Sequence, residues 1–201
     1  MRTSPIRRGR LAVGLLGGSF NPAHGGHRYL SELALSVLAL DQVWWLVSPQ
    51  NPLKPERGMA PYPERLEGAR ALARHPRLRV SDLEARLGTR YSAETIAALR
   101  ARFPSHRFVW IMGADNLEEI PRWHRWEEIF ATVPVAVFNR PSYAVRALSG
   151  AAAQRFRGHR VAAAEAATLK RRRPPAWLFL WRAHHPASAT ALRDGRGGAA
   201  G

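Results

Sequence analysis

The chain has 201 residues, 46% of them hydrophobic and 9% aromatic, which is enough to fill the core of one α/β domain and falls below the size at which cores divide. No apolar run approaches the roughly 18 to 20 residues of a membrane span, and the lack of cysteine excludes disulfides, thiolate chemistry and Cys-ligated zinc. A formal net charge of +16 calls for a negatively charged partner, nucleic acid or phosphorylated small molecules; the arginines are spread along the chain with no single stripe of stacking aromatics among them, which favours the small molecules.

Residues 1–10 are basic, and the apolar run 11–16 behind them is too short for a signal peptide and lacks a small-residue cleavage site. A disordered lead is therefore expected over 1–10, one domain over 11–193 and a disordered tail over 194–201. A cytoplasmic location is expected by default, and the absence of cysteine suits it.

The run 11–16 predicts the first strand. Directly after it comes Gly17-Gly18-Ser19-Phe20-Asn21-Pro22-Ala23-His24-Gly25-Gly26-His27, and then a stretch with apolar residues at three- and four-residue spacing that predicts a helix over 26–38. Gly17 and Gly18 allow a sharp turn and a close approach of backbone to ligand, since no Cβ stands in the way. The head of the helix brings its first N–H groups and the positive end of its dipole to the same place, an arrangement that binds anions. His24 and His27, three residues apart, share one face of that first turn and can donate to the same phosphates. A capping or core role is the plain alternative for the pair, and a metal site is the other. With no cysteine in the chain and no carboxylate at helical spacing before Glu32, phosphate contact is preferred and no metal ligand is assigned.

A second strand is predicted over 42–47. Residues 49–63 hold Pro49, Pro52, Pro55, Pro61 and Pro63 and predict a long loop at the C-terminal end of that strand, where ligands of such sheets sit. Lys54 in this loop is either a phosphate ligand or a solvated cation. A helix over 62–74, a strand over 78–81, a helix over 92–102 and a strand over 107–112 follow. The last of these runs into Gly113-Ala114-Asp115-Asn116, where Gly113 permits close approach and Asp115 can accept from ribose hydroxyls or cap the next short helix. A helix over 126–130 and a strand over 133–138 come next. Residues 142–175 are rich in Ala and Arg and predict a connection with a helix over 161–170, closed by Arg171, Arg172, Arg173, Pro174 and Pro175 as a solvated turn. A strand over 177–181 ends the series. Strands alternating with helices predict an α/β fold, a Rossmann-like doubly wound parallel sheet with helices on both faces.

The segment from Gly17 to His27 resembles the HxGH signature of the nucleotidyltransferase superfamily. Ser188-Ala189-Thr190-Ala191-Leu192-Arg193 is similar to that superfamily's ISSTxxR stretch, with Ala187 in the Ile place and Ala189 replacing a Ser; Asn21 stands where many members carry Asp. The resemblance implies attack of an acceptor phosphate on the α-phosphorus of ATP with release of pyrophosphate, and no covalent enzyme intermediate. It implies His24, His27 and Arg193 as catalytic groups, and Gly17, Gly18, Ser19, Phe20, Gly113, Asp115, Ser188 and Thr190 as the ATP-binding set.

Gly113 to Asn116 resembles the GADN segment of bacterial nicotinate-mononucleotide adenylyltransferases, and Pro121-Arg122-Trp123-His124-Arg125-Trp126, taken with the segment from Ser48 to Lys54, resembles their acceptor loops. The resemblance implies that Trp123 stacks on a pyridine ring, with Asn51 and His124 near the ring carboxylate and Lys54, Ser92, Thr95 and Arg140 on the same mononucleotide side. The spacing of Trp123 and Trp126 also suits one buried helix face, and Trp126 is assigned to the core. The implied reaction transfers the adenylyl group of ATP to nicotinate mononucleotide, giving nicotinate adenine dinucleotide and pyrophosphate in NAD biosynthesis. Mg²⁺ would be bound mainly through the substrate phosphates, and NAD would be the pathway's product and not a cofactor. Competing readings are a related enzyme acting on nicotinamide mononucleotide or phosphopantetheine, a nucleotide-binding domain without turnover, and a basic nucleic-acid-binding protein. The expected partners are ATP and nicotinate mononucleotide, with neither nucleic acid nor membrane.

Overall fold

The computed structural model describes residues 10–50, 57–139 and 143–181. Strands β1 (Ala12–Gly18), β2 (Gln42–Val47), β3 (Leu78–Ser81), β4 (Arg107–Gly113), β5 (Val135–Phe138) and β6 (Trp177–Leu180) form one sheet in the order β3-β2-β1-β4-β5-β6. Every neighbouring pair is parallel. This is the doubly wound parallel sheet expected from the alternation of elements, and its direction of growth reverses between β1 and β4, which opens a crevice outside their C-terminal ends.

The connections carry α1 (Gly25–Val37), α2 (Tyr62–Leu72), α3 (Leu83–Leu87), α4 (Ser92–Arg102), α5 (Ala114–Glu119), α6 (Trp126–Thr132), α7 (Ala144–Ser149) and α8 (Ala151–Arg155). Side chains alternate along β1, so Val13 and Leu15 join Ile96, Leu99, Trp110 and Phe130 on one face of the sheet, while Ala12 and Leu16 join Leu35, Leu38, Trp45 and Ile111 on the other. Both faces are covered, which is why the strands read as almost unbroken apolar runs.

Several boundaries depart from expectation. The strand expected from residue 133 begins at Val135, because Val133 closes α6 and Pro134 has no N–H to give the ladder. The proline loop ends earlier than its composition suggested, for Pro61 is the N-cap of α2 and Pro63 lies in its first turn, where a missing N–H is harmless. The helix expected over 161–170 is a 3-10 helix that runs Ala163–Arg171, and Val161 before it donates its N–H to the Trp177 carbonyl at 2.7 Å on the edge of β6. Its buried residues, Ala166 and Leu169, are three apart, the repeat of a 3-10 and not of an α-helix. Among the described residues no helix is long and apolar enough to cross a membrane.

Candidate active site

Strand β1 ends on Gly17 and Gly18 beside the crevice. A Cβ on Gly17 would lie 2.5 Å from Cη2 of Trp110, a ring that is only 1% exposed, so glycine is required here by the protein's own packing. At Gly18 a Cβ would meet the Phe20 ring at an ordinary 3.5 Å. Phe20 then takes φ 48°, the left-handed region that a side chain adopts at a cost of roughly 1 to 2 kcal/mol, and its buried ring offsets this by stacking on Trp45 at 5.0 Å and packing against His27 at 4.7 Å. Asn21 donates from Nδ2 to the Gly58 carbonyl at 3.0 Å and accepts the Ala60 N–H at Oδ1 at 3.1 Å. An aspartate could accept there but not donate, which gives the amide its own reason for standing at this position.

His24 is the N-cap of α1. Its backbone N–H donates to Nδ1 of His27 at 3.2 Å, the His27 N–H donates to the His24 carbonyl at 2.9 Å, and the two rings lie 3.9 Å apart between centroids. Because Nδ1 of His27 accepts, the proton of the neutral ring is assigned to Nε2. Trp45 donates from Nε1 to Ser31 Oγ at 2.8 Å, and Ser31 donates in turn to the His27 carbonyl at 2.8 Å, so the first turn of α1 is pinned to β2. No acidic residue stands in that turn to offset the dipole. His24 is 4% exposed and His27 half-buried. Ser19 is buried as well, and its Oγ has no hydrogen-bond partner among the described residues.

On the neighbouring strand the register Leu16↔Ile111 brings Gly113 level with Gly18. Gly113 is the N-cap of α5, and Asp115 sits one residue inside its first turn, so the aspartate is not itself the cap. Beyond α5 and a 3-10 turn at Ile120–Arg122, Trp123 is half-buried and meets Trp110 edge-on at 6.5 Å. Trp110 thus packs under Gly17 and against Trp123, joining the two halves of the crevice. His124 is exposed and its ring lies 4.3 Å from Tyr91, the N-cap of α4, whose first residue is Ser92. Thr95 is buried at 0% exposure, and its hydroxyl contacts Thr89 Oγ1 at 2.8 Å and donates to the Tyr91 carbonyl at 3.2 Å, which ties the turn before α4 together. Trp126, expected in the core, is half-buried at its border, where it packs edge-on against Phe130 and Phe156. Asn51, Lys54, Arg140, Ser188, Thr190 and Arg193 lie outside the described residues.

Two buried charges at this site escaped the sequence reading. Arg65 of α2 is 4% exposed and donates from Nε to the Ala60 carbonyl at 2.9 Å, from Nη1 to the carbonyls of Ser19 at 2.6 Å and Ser48 at 2.7 Å, and from Nη2 to that of Pro49 at 2.6 Å. Desolvation lowers its pKa from the ordinary value, with the electrostatic attraction of the Tyr62 side chain opposing. Glu84 of α3 is 5% exposed; burial pushes its carboxyl up to about 7, against the hydrogen bonds from Ser48 and Thr95 that favour the ionised form. The available signal was a charge on an inward face: Arg65 is flanked by Leu66 and precedes Ala69 on the buried side of α2.

The model of the cytidylyltransferase-like family matches residues 15–194. A probable nicotinate-nucleotide adenylyltransferase of Parvibaculum lavamentivorans is 53% identical over 188 residues, covering 94% of this chain and 93% of the relative. Its counterpart in Cereibacter sphaeroides is 56% identical over 183 residues, covering 91% and 97%. Among solved structures, Plasmodium falciparum nicotinic acid mononucleotide adenylyltransferase complexed with NaAD superposes with a TM-score of 0.68 at 13% identity, covering 92% of this chain and 83% of that one, a likeness of fold. With a family match over most of its length and relatives at about half identity across nearly the whole of both chains, the chain belongs to the cytidylyltransferase-like family and, within it, to the group of nicotinate-nucleotide adenylyltransferases.

Proposed function

We propose that the chain transfers the adenylyl group of ATP to nicotinate mononucleotide, giving nicotinate adenine dinucleotide and pyrophosphate. The observation that carries the reading is the joined pair His24 and His27 at the head of α1, on the strand end where the sheet order reverses. The names of the relatives, and the NaAD held by the Plasmodium falciparum enzyme, support the acceptor.

In this reading Nε2–H of His27 and the amides that open α1 receive the triphosphate, with His24, Ser188, Thr190 and Arg193 completing the hold. Gly17, Gly18, Ser19 and Phe20 bring the backbone close to the nucleotide, while Gly113 and Asp115 hold the adenosine side. Trp123 stacks on the pyridine ring, which over an indole gains on the order of 1 to 2 kcal/mol from burial and cation–π attraction. His124, Asn51, Lys54, Ser92 and Arg140 frame the rest of the mononucleotide, while Thr95, expected among them, is fully buried and holds the turn before α4 from behind. The acceptor phosphate is already ionised at neutral pH, so no general base is needed. The protein's work is to hold two polyanions in line and to neutralise charge on the departing pyrophosphate.

Magnesium belongs to this proposal as an ion that arrives on the triphosphate. The described residues gather no group of three His, Asp or Glu able to hold a metal, and the donors at the loop, imidazoles and amides, suit phosphate oxygens better than a hard cation. A cytoplasmic location is likewise proposed, on the cysteine-free composition. The test is pyrophosphate release from ATP and Mg²⁺ against nicotinate mononucleotide, nicotinamide mononucleotide and phosphopantetheine. Turnover with the nicotinate acceptor above the other two is expected; release only with phosphopantetheine, or none with any acceptor, overturns the reading.

A further inference from the structure

Arg65 is a buried cation whose four described hydrogen bonds all end on backbone carbonyls, and those carbonyls belong to separate loops. Ser19 lies in the loop that leaves β1, Ser48 and Pro49 in the loop that leaves β2, and Ala60 in the approach to α2. One nitrogen, Nη1, serves the first two loops at once, at 2.6 Å to Ser19 and 2.7 Å to Ser48. The Ser48 N–H in turn donates to the Gly18 carbonyl at 2.9 Å, so both backbone groups of Ser48 tie its loop to the one that leaves β1, the N–H directly and the carbonyl through Arg65.

The direction of these bonds matters for a site that takes two polyanions. In a trans peptide the C=O and the following N–H point opposite ways. Drawing the Ser19 carbonyl toward Arg65 therefore turns the Phe20 N–H away from it, and drawing in the Pro49 carbonyl does the same for the Gln50 N–H. A carbonyl left facing the crevice would set the negative end of a peptide dipole against phosphate. A guanidinium suits this role because its planar fork reaches several acceptors in fixed directions, whereas an ammonium offers its donors from one point.

We propose that Arg65 is a positioning residue for adenylyl transfer, which turns the carbonyls of the donor loop and the acceptor loop inward together and so sets the spacing of the two phosphate-bearing substrates. The inference rests on the reaction proposed above. It places Arg65 behind both loops, acting through Ser19, Ser48 and Pro49 and touching neither substrate.

The test compares wild type, Arg65→Lys and Arg65→Ala for kcat, both KM values and equilibrium binding of Mg·ATP alone. A loop displaced by about 1 Å can lower a rate by about 100-fold, so Arg65→Lys is expected to lose about 10- to 100-fold in kcat, to raise both KM values and to weaken Mg·ATP binding by about tenfold. Millimolar guanidinium is expected to restore part of the kcat of Arg65→Ala. A role in stability alone would lower the unfolding temperature of Arg65→Lys and leave kcat, both KM values and Mg·ATP binding within about twofold of wild type. That result, or a rise in one KM only, overturns the proposal, and Arg65→Lys decides the matter if Arg65→Ala fails to fold. Wild-type inactivity with all three acceptors would instead count against the reaction, and the Mg·ATP binding comparison would still judge Arg65.

Discussion

Glu84→Gln tests the energetics of the acceptor side most sharply, because the buried carboxyl makes folding depend on pH in a direction that can be worked out. Its carboxyl is raised from 4.5 to about 7, chiefly by burial. The unfolded chain releases this proton near the lower value and the folded chain near the higher, so between them the folded state binds more protons than the unfolded. Stability therefore falls as pH rises through that window and the loss is complete above about pH 7. The gap is about 2.5 pH units at about 1.4 kcal/mol each, so ionising Glu84 removes on the order of 3 kcal/mol. Glutamine keeps the shape and can still accept from Thr95 and Ser48, yet has no proton to release. Urea unfolding of both proteins from about pH 5 to about pH 8 gives the difference in stability, in which other titrating groups such as His106 cancel. The glutamine variant should gain on wild type by about 1 to 3 kcal/mol as pH rises across this range. A difference that stays flat with pH would refute the reasoning, since it would mean that Glu84 titrates alike in both states.

Three further outcomes follow from the same geometry. His27→Ala removes the Nε2–H donor and the acceptor of the His24 N–H, and should lower kcat by about 10³-fold while Mg·ATP binding is weakened but measurable; near-normal turnover in a steady-state pyrophosphate assay contradicts the role. Gly17→Ala places a methyl 2.5 Å from the buried Trp110 ring and should destabilise the fold by about 1 to 3 kcal/mol, read by tryptophan fluorescence during urea unfolding; an unchanged midpoint would show that the ring moves aside at no cost. Trp123→Ala should raise the acceptor KM by about tenfold and leave the ATP KM alone, and equal rises in both would place the indole elsewhere.

The sheet was legible because its strands are covered on both faces and read as short apolar runs between helical periods. Gln42–Val47 and Leu78–Ser81 fall where the sequence predicts them, and the sheet is parallel throughout as alternation implies, while the strand order comes from the fold alone. The short helices Leu83–Leu87, Ala144–Ser149 and Ala151–Arg155 were not, since five or six residues show less than two turns of any periodicity. The helix expected over 161–170 exists as the 3-10 helix Ala163–Arg171; its alanines favour helix of either kind, and only the three-residue step from Ala166 to Leu169 on the buried side marks the type. At the site, the glycine and histidine motif was visible as a spacing, whereas Trp123 and Trp126 are both half-buried against the same core cluster, so the three-residue spacing that suits a buried face does not by itself set them apart. The reason for Gly17 was only half visible: close approach was expected for a ligand's sake, whereas the ring beneath it belongs to Trp110, many residues away in sequence. The roles of Arg65 and Glu84 were hidden for the same cause, although Arg65 stands on the apolar face of its helix. Their partners, backbone carbonyls of two distant loops for one and Ser48 with Thr95 for the other, are contacts of the fold that the neighbouring sequence does not name.

The claim beneath all of this is that the turn between β1 and α1 grips a triphosphate through its paired imidazoles. A crystal structure with Mg²⁺ and a non-hydrolysable ATP analogue tests it most directly. The account predicts phosphate oxygens within hydrogen-bond distance of His27 Nε2 and of the amides that open α1, with the adenosine toward Gly113 and Asp115. An analogue bound elsewhere on the sheet, or phosphates that leave both histidines untouched, would contradict it.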